Sequence, residues 1–157
     1  MAQLVACLVW DQEAGGSSPP SPTMFAELDG EKYISLVTFR KSGEPVHSPV
    51  WFTKFGDLAN TYGVITETNA GKVKRIRVNP KIEVLPCDIK GNIAVGAPKF
   101  FGVARLVTGD EAVAVRKAIG KHYGITYRSF AIYLAVRSLF KKRDTLPETN
   151  IVFTLTN

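Results

Sequence analysis

The most chemically suggestive stretch of the chain is TNAGKVKRIRVNP, residues 68–80, in which four cationic side chains fall within six residues. These are Lys72, Lys74, Arg75 and Arg77. The polar residues that precede them are typical of a helix start, where unpaired N–H groups and the helix dipole attract anions. The stretch therefore has three candidate targets, which are a nucleic-acid backbone, the phosphate of a small molecule, and water alone.

A phosphate fits the local pattern well. Gly71 allows an anion to approach the backbone closely, and Lys72 and Arg75 share one helix face, from which both can reach the same anion. Thr66 and Thr68 place hydroxyl groups just ahead of the helix. On these residues alone a solvated basic helix is an equally good interpretation, because runs of charge usually face water.

Other chemistry finds little support. The stretch narrowly misses a P-loop, because Thr66 stands where that motif needs glycine and Val73 where it needs Ser or Thr. His47 and His122 are the only histidines, and neither belongs to a nucleophile signature or to a zinc-binding cluster. Catalysis by this chain is therefore expected to depend on a cofactor.

The charge of the chain favours an anionic partner. The net charge is +6, and residues 1–23 hold two of the 14 acidic residues and none of the 20 Lys and Arg, so residues 24–157 carry +8. The basic residues concentrate in two helices and lack the paired aromatic strand motifs of RNA-binding modules, so no nucleic-acid partner is expected.

Length and composition indicate one globular domain. The chain has 157 residues, 45% of them hydrophobic and 22% charged. No run approaches the roughly 18 apolar residues of a membrane-spanning helix, so no membrane partner is expected. Cys7 and Cys87 show neither metal-ligand spacing nor a disulfide pattern, which predicts a cytoplasmic protein.

The first 23 residues differ from the rest of the chain. A short apolar run is followed by the Gly/Ser/Pro tract EAGGSSPPSPT, and no basic n-region of a signal peptide is present. We expect residues 1–23 to be a disordered or mis-assigned extension, with Met24 as the true initiator. Residues 24–157 are expected to form the functional domain.

The remaining sequence predicts a mainly β, α+β fold. Six β-rich runs cover residues 32–40, 46–55, 58–66, 81–88, 99–108 and 150–156. Helical segments are predicted at residues 70–78, 109–124 and 127–143. The gaps between most strands are too short for crossover helices, so the pattern predicts a six-stranded antiparallel barrel with one short helix and two helices in its C-terminal half.

Three stretches, RKSGEPVHSPVWF, TETNAGKVKRIRVNPKIEVLPCD and GVARLV, resemble the pyridoxamine 5′-phosphate oxidase-like superfamily of split β-barrel flavin-binding proteins. The resemblance covers residues 33–155 and is nearest to the PPOX-class branch of F420-dependent oxidoreductases. It implies a homodimer that binds F420 or FMN at the subunit interface. It also implies a cytoplasmic oxidoreductase that transfers a hydride between the cofactor and a small organic substrate, or alternatively a non-catalytic flavin or F420 carrier or sensor.

The resemblance also assigns residues to the cofactor. By position, the phosphate would be held by Thr66, Thr68, Gly71, Lys72, Lys74 and Arg75. The ring would be lined by Ser48, Pro49, Val50 and Trp51, with Pro86, Cys87 and Asp88 as weaker candidates. No metal site and no catalytic residue is implied. The chain lacks the Arg-x-His tripeptide of true pyridoxamine phosphate oxidases, so synthesis of pyridoxal phosphate is not expected.

Overall fold

The computed structural model describes residues 25–58, 60–139 and 148–156. The chain divides into two compact units, residues 1–30 and 31–157, and only a short helix of the first unit is described. The expectations for residues 1–23 and for a start at Met24 therefore lie outside the described residues. Residues 31–157 contain the sheet and the remaining helices.

The secondary structure follows the sequence pattern closely. The helices are α1 (Ala26–Asp29), α2 (Gly71–Val78), α3 (Gly109–Tyr123) and α4 (Ile125–Leu139). The strands are β1 (Tyr33–Phe39), β2 (Pro45–Val50), β3 (Phe52–Lys54), β4 (Thr61–Val64), β5 (Lys81–Cys87), β6 (Phe100–Thr108) and β7 (Thr149–Leu155). Residues 140–143 of the predicted last helix lie outside the described residues. No described helix has the length and apolar character needed to cross a membrane.

The sheet has seven antiparallel strands in the order β2-β1-β5-β6-β7-β4-β3, so the prediction of six strands is wrong. The run predicted as one strand over residues 46–55 is interrupted at Trp51, and its two halves pair with different neighbours. Val50 pairs with Ile34 of β1, whereas Phe52 pairs with Val64 of β4. Sequence periodicity did not reveal the break because both halves are β-rich.

The two edge strands of the sheet are consecutive in the chain and are separated by Trp51 alone. Two Cα–Cα steps span at most about 7 Å, so the sheet must curl until its two edges approach each other there. No hydrogen-bonded ladder joins β2 to β3 among the described strands. The predicted barrel is therefore an open, curled sheet, and the connection between its edges is covalent.

Tyr123, the last residue of α3, holds this junction. Its hydroxyl oxygen lies 2.8 Å from the carbonyl oxygens of Lys32 and Phe52 and accepts a hydrogen bond from the Phe52 N–H at 3.2 Å. A hydroxyl has one proton, so the two carbonyls share it. The Tyr123 ring also stacks on Trp51, with centroids 5.2 Å apart. One side chain therefore joins the start of β1 to the edge strand β3.

The core lies on the concave face of the curled sheet. Successive strand residues point to opposite faces, and paired inward residues such as Leu36 and Val84 are fully buried. Helix α2 contacts β1 and β6 and buries Val73 and Ile76. Helix α3 packs its apolar side on the opposite face of β6 and β7, where a second, smaller core forms. The small helix is thus fixed by two apolar side chains.

Removing the Tyr123 hydroxyl should destabilise the fold. We expect Tyr123→Phe to lower the free energy of unfolding by about 1–3 kcal/mol, because the buried backbone groups of Phe52 lose a polar partner. Urea denaturation measures the loss. Tyr33→Phe is the matched control, since Tyr33 contacts Trp51 through its ring, and it should change the free energy by less than about 0.5 kcal/mol. Equal losses in both variants would contradict the role of the Tyr123 hydroxyl.

Candidate functional site

The start of α2 is the most strongly cationic site that the fold builds. A turn closed by the Ala70 N–H and the Glu67 carbonyl leads into the helix, and Ala70 provides no side-chain cap. The amides of Val73 and Lys74 are the first to bond back to Ala70. The amides at the helix start precede these bonds and have no partner within the helix. A negative group at this end is favoured by the helix dipole.

Arg75 folds back over this helix start. Its Nε donates to Thr38 Oγ1 at 2.7 Å. A Cβ placed on Gly71 would lie 2.8 Å from Arg75 Nη1, so the guanidinium fills the space that a side chain at residue 71 would need. Glycine at this position therefore lets the charge of Arg75 lie directly against the backbone.

Lys72 adds a second cation to the same place. Burial lowers the pKa of Lys72, the nearby charge of Arg75 lowers it further, and Glu67 opposes the shift. The pKa of Arg75 is likewise lowered, first by burial and then by the charge of Arg40. Each lowered pKa means that the surroundings disfavour the charged form of that side chain. A bound anion would relieve both costs, which is the electrostatic property expected of a phosphate site.

The other residues predicted for the phosphate are placed differently. Lys74 and Arg77 are both exposed. The Thr66 amide donates to Asn150 Oδ1 at 3.2 Å, and the buried Asn150 in turn donates to the Ala112 carbonyl at 2.8 Å. Thr66 therefore anchors the preceding loop. Among the residues predicted for the phosphate, the structure brings Gly71, Lys72 and Arg75 together at the helix start.

The residues predicted to line the ring do not present one surface. Along β2, Ser48 and Val50 point to the concave face, whereas Pro49 is exposed on the opposite face. Trp51 lies beyond the strand in an aromatic cluster with Tyr123. The ring centroids of Tyr33 and Tyr127 are 6.5 and 6.4 Å from that of Trp51.

The register of β1 and β2 connects the ring-lining strand to the phosphate site. Thr38, which binds Arg75, pairs with Val46, and Leu36 pairs with Ser48. The concave-facing residues of β2 therefore begin beside Arg75 and continue toward Trp51. At about 3.3 Å per residue, the five steps from Val46 to Trp51 extend roughly 16 Å.

The three weaker candidates for lining the ring, Pro86, Cys87 and Asp88, lie at the end of β5 and directly after it. Asp88 accepts hydrogen bonds from the Lys90 and Asn92 amides and from Asn92 Nδ2, at 2.8 to 2.9 Å, so its carboxylate closes a turn. Burial raises the pKa of Cys87 to about 11, with Asp88 and Glu31 contributing, which keeps the thiol protonated. Pro86 is partly buried opposite Ile34. Cys87 is thus a poor redox thiol.

Sequence reasoning missed two side chains that hold functional groups in place. Thr38 holds Arg75, and the buried Ser35 lies with its Oγ 3.0 Å from Nδ1 of the exposed His47. Both pairs join residues that are distant in sequence and meet only after the strands pair. No local pattern could have indicated them. Within the described residues, no cluster of three or more His, Cys, Asp or Glu side chains could hold a metal ion.

Comparison with known proteins gives a family match and several shared folds. The family model described as pyridoxamine 5′-phosphate oxidase matches residues 21–151. No protein of curated function matches. The structure resembles HutZ, described as the heme storage protein of Vibrio cholerae, with 18% identity over 88% of this chain and 89% of that one, at a TM-score of 0.51.

Two further solved structures have the same fold. A protein described as F420 reductase is 18% identical over 83% of this chain and 90% of its own, with a TM-score of 0.53. HupZ of Group A Streptococcus is 17% identical over 85% of this chain and 87% of its own, also at 0.53. At these identities the likeness demonstrates a shared fold.

The pKa of Cys87 predicts slow alkylation. Because burial disfavours the thiolate and raises the pKa from 9.0 to about 11, a Cys7→Ala variant should react with iodoacetamide at pH 8 about 100-fold more slowly when folded than when unfolded in urea. The folded rate should keep rising up to about pH 11. A plateau in the folded rate below pH 9.5 would contradict the raised pKa.

Proposed function

The chain belongs to the pyridoxamine 5′-phosphate oxidase family, and we propose that it is an oxidoreductase that binds FMN or the deazaflavin F420. The observation that carries the proposal is the arrangement of Gly71, Lys72 and Arg75 at the start of α2. There two mutually repelling cations lie beside helix amides that have no partner within the helix, and the Arg75 guanidinium lies against the Gly71 backbone. A phosphate is the group that this set of donors suits.

The donor set fits the cofactor phosphate in charge and in shape. Arg75 offers a planar fork of N–H donors, and Lys72 offers a point charge that is only partly solvated. Gly71 lets the guanidinium lie against the backbone at the helix start, because a side chain there would collide with it. These residues bind and orient the cofactor by its phosphate, which fixes the position of the rest of the molecule.

The ring is proposed to lie along β2 toward Trp51. Pro49 is exposed and Ser48 is partly exposed, so these two would contact the ring, whereas Val50 is packed in the core opposite Ile34 and would support the strand beneath it. Trp51, stacked on Tyr123, would exclude water from the far end. A bound flavin or deazaflavin supplies hydride transfer to or from a small organic substrate.

The proposed assembly is a homodimer in the cytoplasm. The sheet has apolar side chains exposed on β6, where Phe101 and Val103 are 44% and 42% accessible in the single chain. Apolar surface of this kind is typical of association. FMN and F420 share the phosphate and the tricyclic ring system, so the same residues serve either cofactor.

A second candidate is a non-catalytic carrier, and one observation favours a heme as its cargo. His47 is exposed, and Ser35 Oγ lies 3.0 Å from its Nδ1. When Nδ1–H donates to this buried hydroxyl, the lone pair of Nε2 is left free and would be available to bind a heme iron. HutZ, which has the same fold, is described as a heme storage protein.

Titration with FMN and F420, followed by fluorescence, tests the leading proposal, and binding of neither would overturn it. In Lys72→Ala, affinity for the bound cofactor should fall by about 1–3 kcal/mol, because a charged hydrogen bond to phosphate is lost. Arg77→Ala is the matched control, since it removes the same charge from an exposed position on the other side of α2. Equal losses in the two variants would indicate general attraction and exclude Lys72 from the site.

Hemin titration tests the carrier. If His47 ligates iron, the wild-type protein should show a shifted Soret band that His47→Ala abolishes, and Ser35→Ala should weaken binding by about 10- to 100-fold. His122→Ala is the control, because His122 is also exposed and its ring packs edge-on against Tyr123. A Soret shift that survives in His47→Ala would contradict this assignment.

A further inference from the structure

Thr38 is a polar side chain in a place that would otherwise be apolar. It lies near the end of β1 on the concave face and is fully buried. Its inward neighbours on the same strand, Ile34 and Leu36, are apolar core residues. A buried hydroxyl is tolerated when it is hydrogen-bonded, and Thr38 Oγ1 accepts from Arg75 Nε at 2.7 Å.

The position of this acceptor is rigid. Strand β1 is paired on both sides, with β2 and with β5, and Thr38 itself pairs with Val46. A β-branched side chain has few rotamers, so the hydroxyl has little freedom to follow a moving partner. Arg75, in contrast, has a long flexible side chain. The hydrogen bond therefore fixes the guanidinium to the strand.

Fixing Nε also fixes the plane of the guanidinium, because the group is planar. With Nε bound to Thr38, Nη1 lies over Gly71 at the start of α2. The edge that carries the Nη donors is thereby set beside the helix amides. This is the orientation in which an arginine offers two parallel N–H bonds to one phosphate.

Without Thr38 the local charges would favour another position. Lys72 and Arg40 both act on Arg75 with repulsive charge, and the pKa values of Lys72 and Arg75 are lowered. An untethered guanidinium in this surrounding gains by turning toward water. The charge-assisted hydrogen bond to Thr38 opposes that movement before any ligand arrives.

We infer that Thr38 is a positioning residue that makes the site selective for a phosphorylated cofactor over the same ring without phosphate. The inference rests on the proposed function, since it assigns the phosphate of FMN or F420 to the Arg75 guanidinium. Thr38 acts through Arg75 and contacts no part of the cofactor itself.

The test compares two ligands that differ by the phosphate group. The affinities of FMN and riboflavin are measured for the wild type, Thr38→Val and Thr38→Ser. If F420 binds in place of FMN, deazariboflavin 5′-phosphate and deazariboflavin form the pair, since both lack the oligoglutamate tail and differ only by the phosphate. Thr38→Val should weaken binding of the phosphorylated ligand by about 3- to 10-fold, the value of one lost hydrogen bond, and leave the other ligand unchanged. Thr38→Ser, which keeps the hydroxyl, should stay within about twofold of the wild type.

A second variant keeps the test valid if Thr38→Val unfolds. Arg75→Lys retains the charge but has no Nε to hold and no planar fork, so it should lose about as much selectivity as Thr38→Val. In this background, adding Thr38→Val should cost no further selectivity. Thermal melting of each variant shows whether it is folded.

The outcomes distinguish a failure of the inference about Thr38 from a failure of the proposed function. A wild type that prefers the phosphorylated ligand, with that preference lost in Thr38→Val and kept in Thr38→Ser, supports the inference. The same wild-type preference unchanged in folded Thr38→Val, or in Arg75→Lys, overturns the role of Thr38 while the phosphate site stands. A wild type with no preference for the phosphorylated ligand overturns the proposed function together with the inference.

Discussion

The junction at Trp51 is the constraint on which the rest of the structure depends. A single residue separates the two edge strands of a seven-stranded sheet, so the sheet has to curl and its concave face has to become the core. No hydrogen-bonded ladder joins the two edges among the described strands, and the hydroxyl of Tyr123 instead ties Phe52 of the edge strand β3 to Lys32, just before β1. The last residue of α3 therefore contributes to the shape of the whole sheet.

The curl of the sheet places α2 where its cations are receptive to an anion. Val73 and Ile76 turn inward and hold the helix on β1 and β6, which leaves its N-terminal end beside the concave side of β1. Arg75 then reaches a buried hydroxyl on that strand and not the solvent. On a flat surface the basic helix would be solvated. Against the curled sheet, Lys72 and Arg75 are partly desolvated. That cost is what makes the site receptive to an anion.

Much of this arrangement was predictable. The strand and helix positions follow from β-rich runs, turn glycines and the apolar pair in α2, because these signals are local. The close pairing of Lys72 with Arg75 and the exposure of Arg77 follow from helical spacing. The number of strands did not follow, since the break at Trp51 depends on which neighbours each half of the run pairs with. The predicted ring-lining group was also too coarse, because strand alternation sends Pro49 and Ser48 to opposite faces.

The sequence by itself determined the secondary-structure elements, the cationic helix and the resemblance to a flavin-binding family. Each of these depends on residues that are close together in the chain. Only the tertiary structure decided that Thr38, 37 residues before Arg75, holds the guanidinium, that Ser35 holds His47, and that Tyr123 holds the junction. The reason is physical: hydrogen bonds between distant residues form only after strand pairing and helix packing have brought their atoms within 3 Å or so. Hydrophobic periodicity and runs of charge in the sequence do not reveal which distant residues come this close.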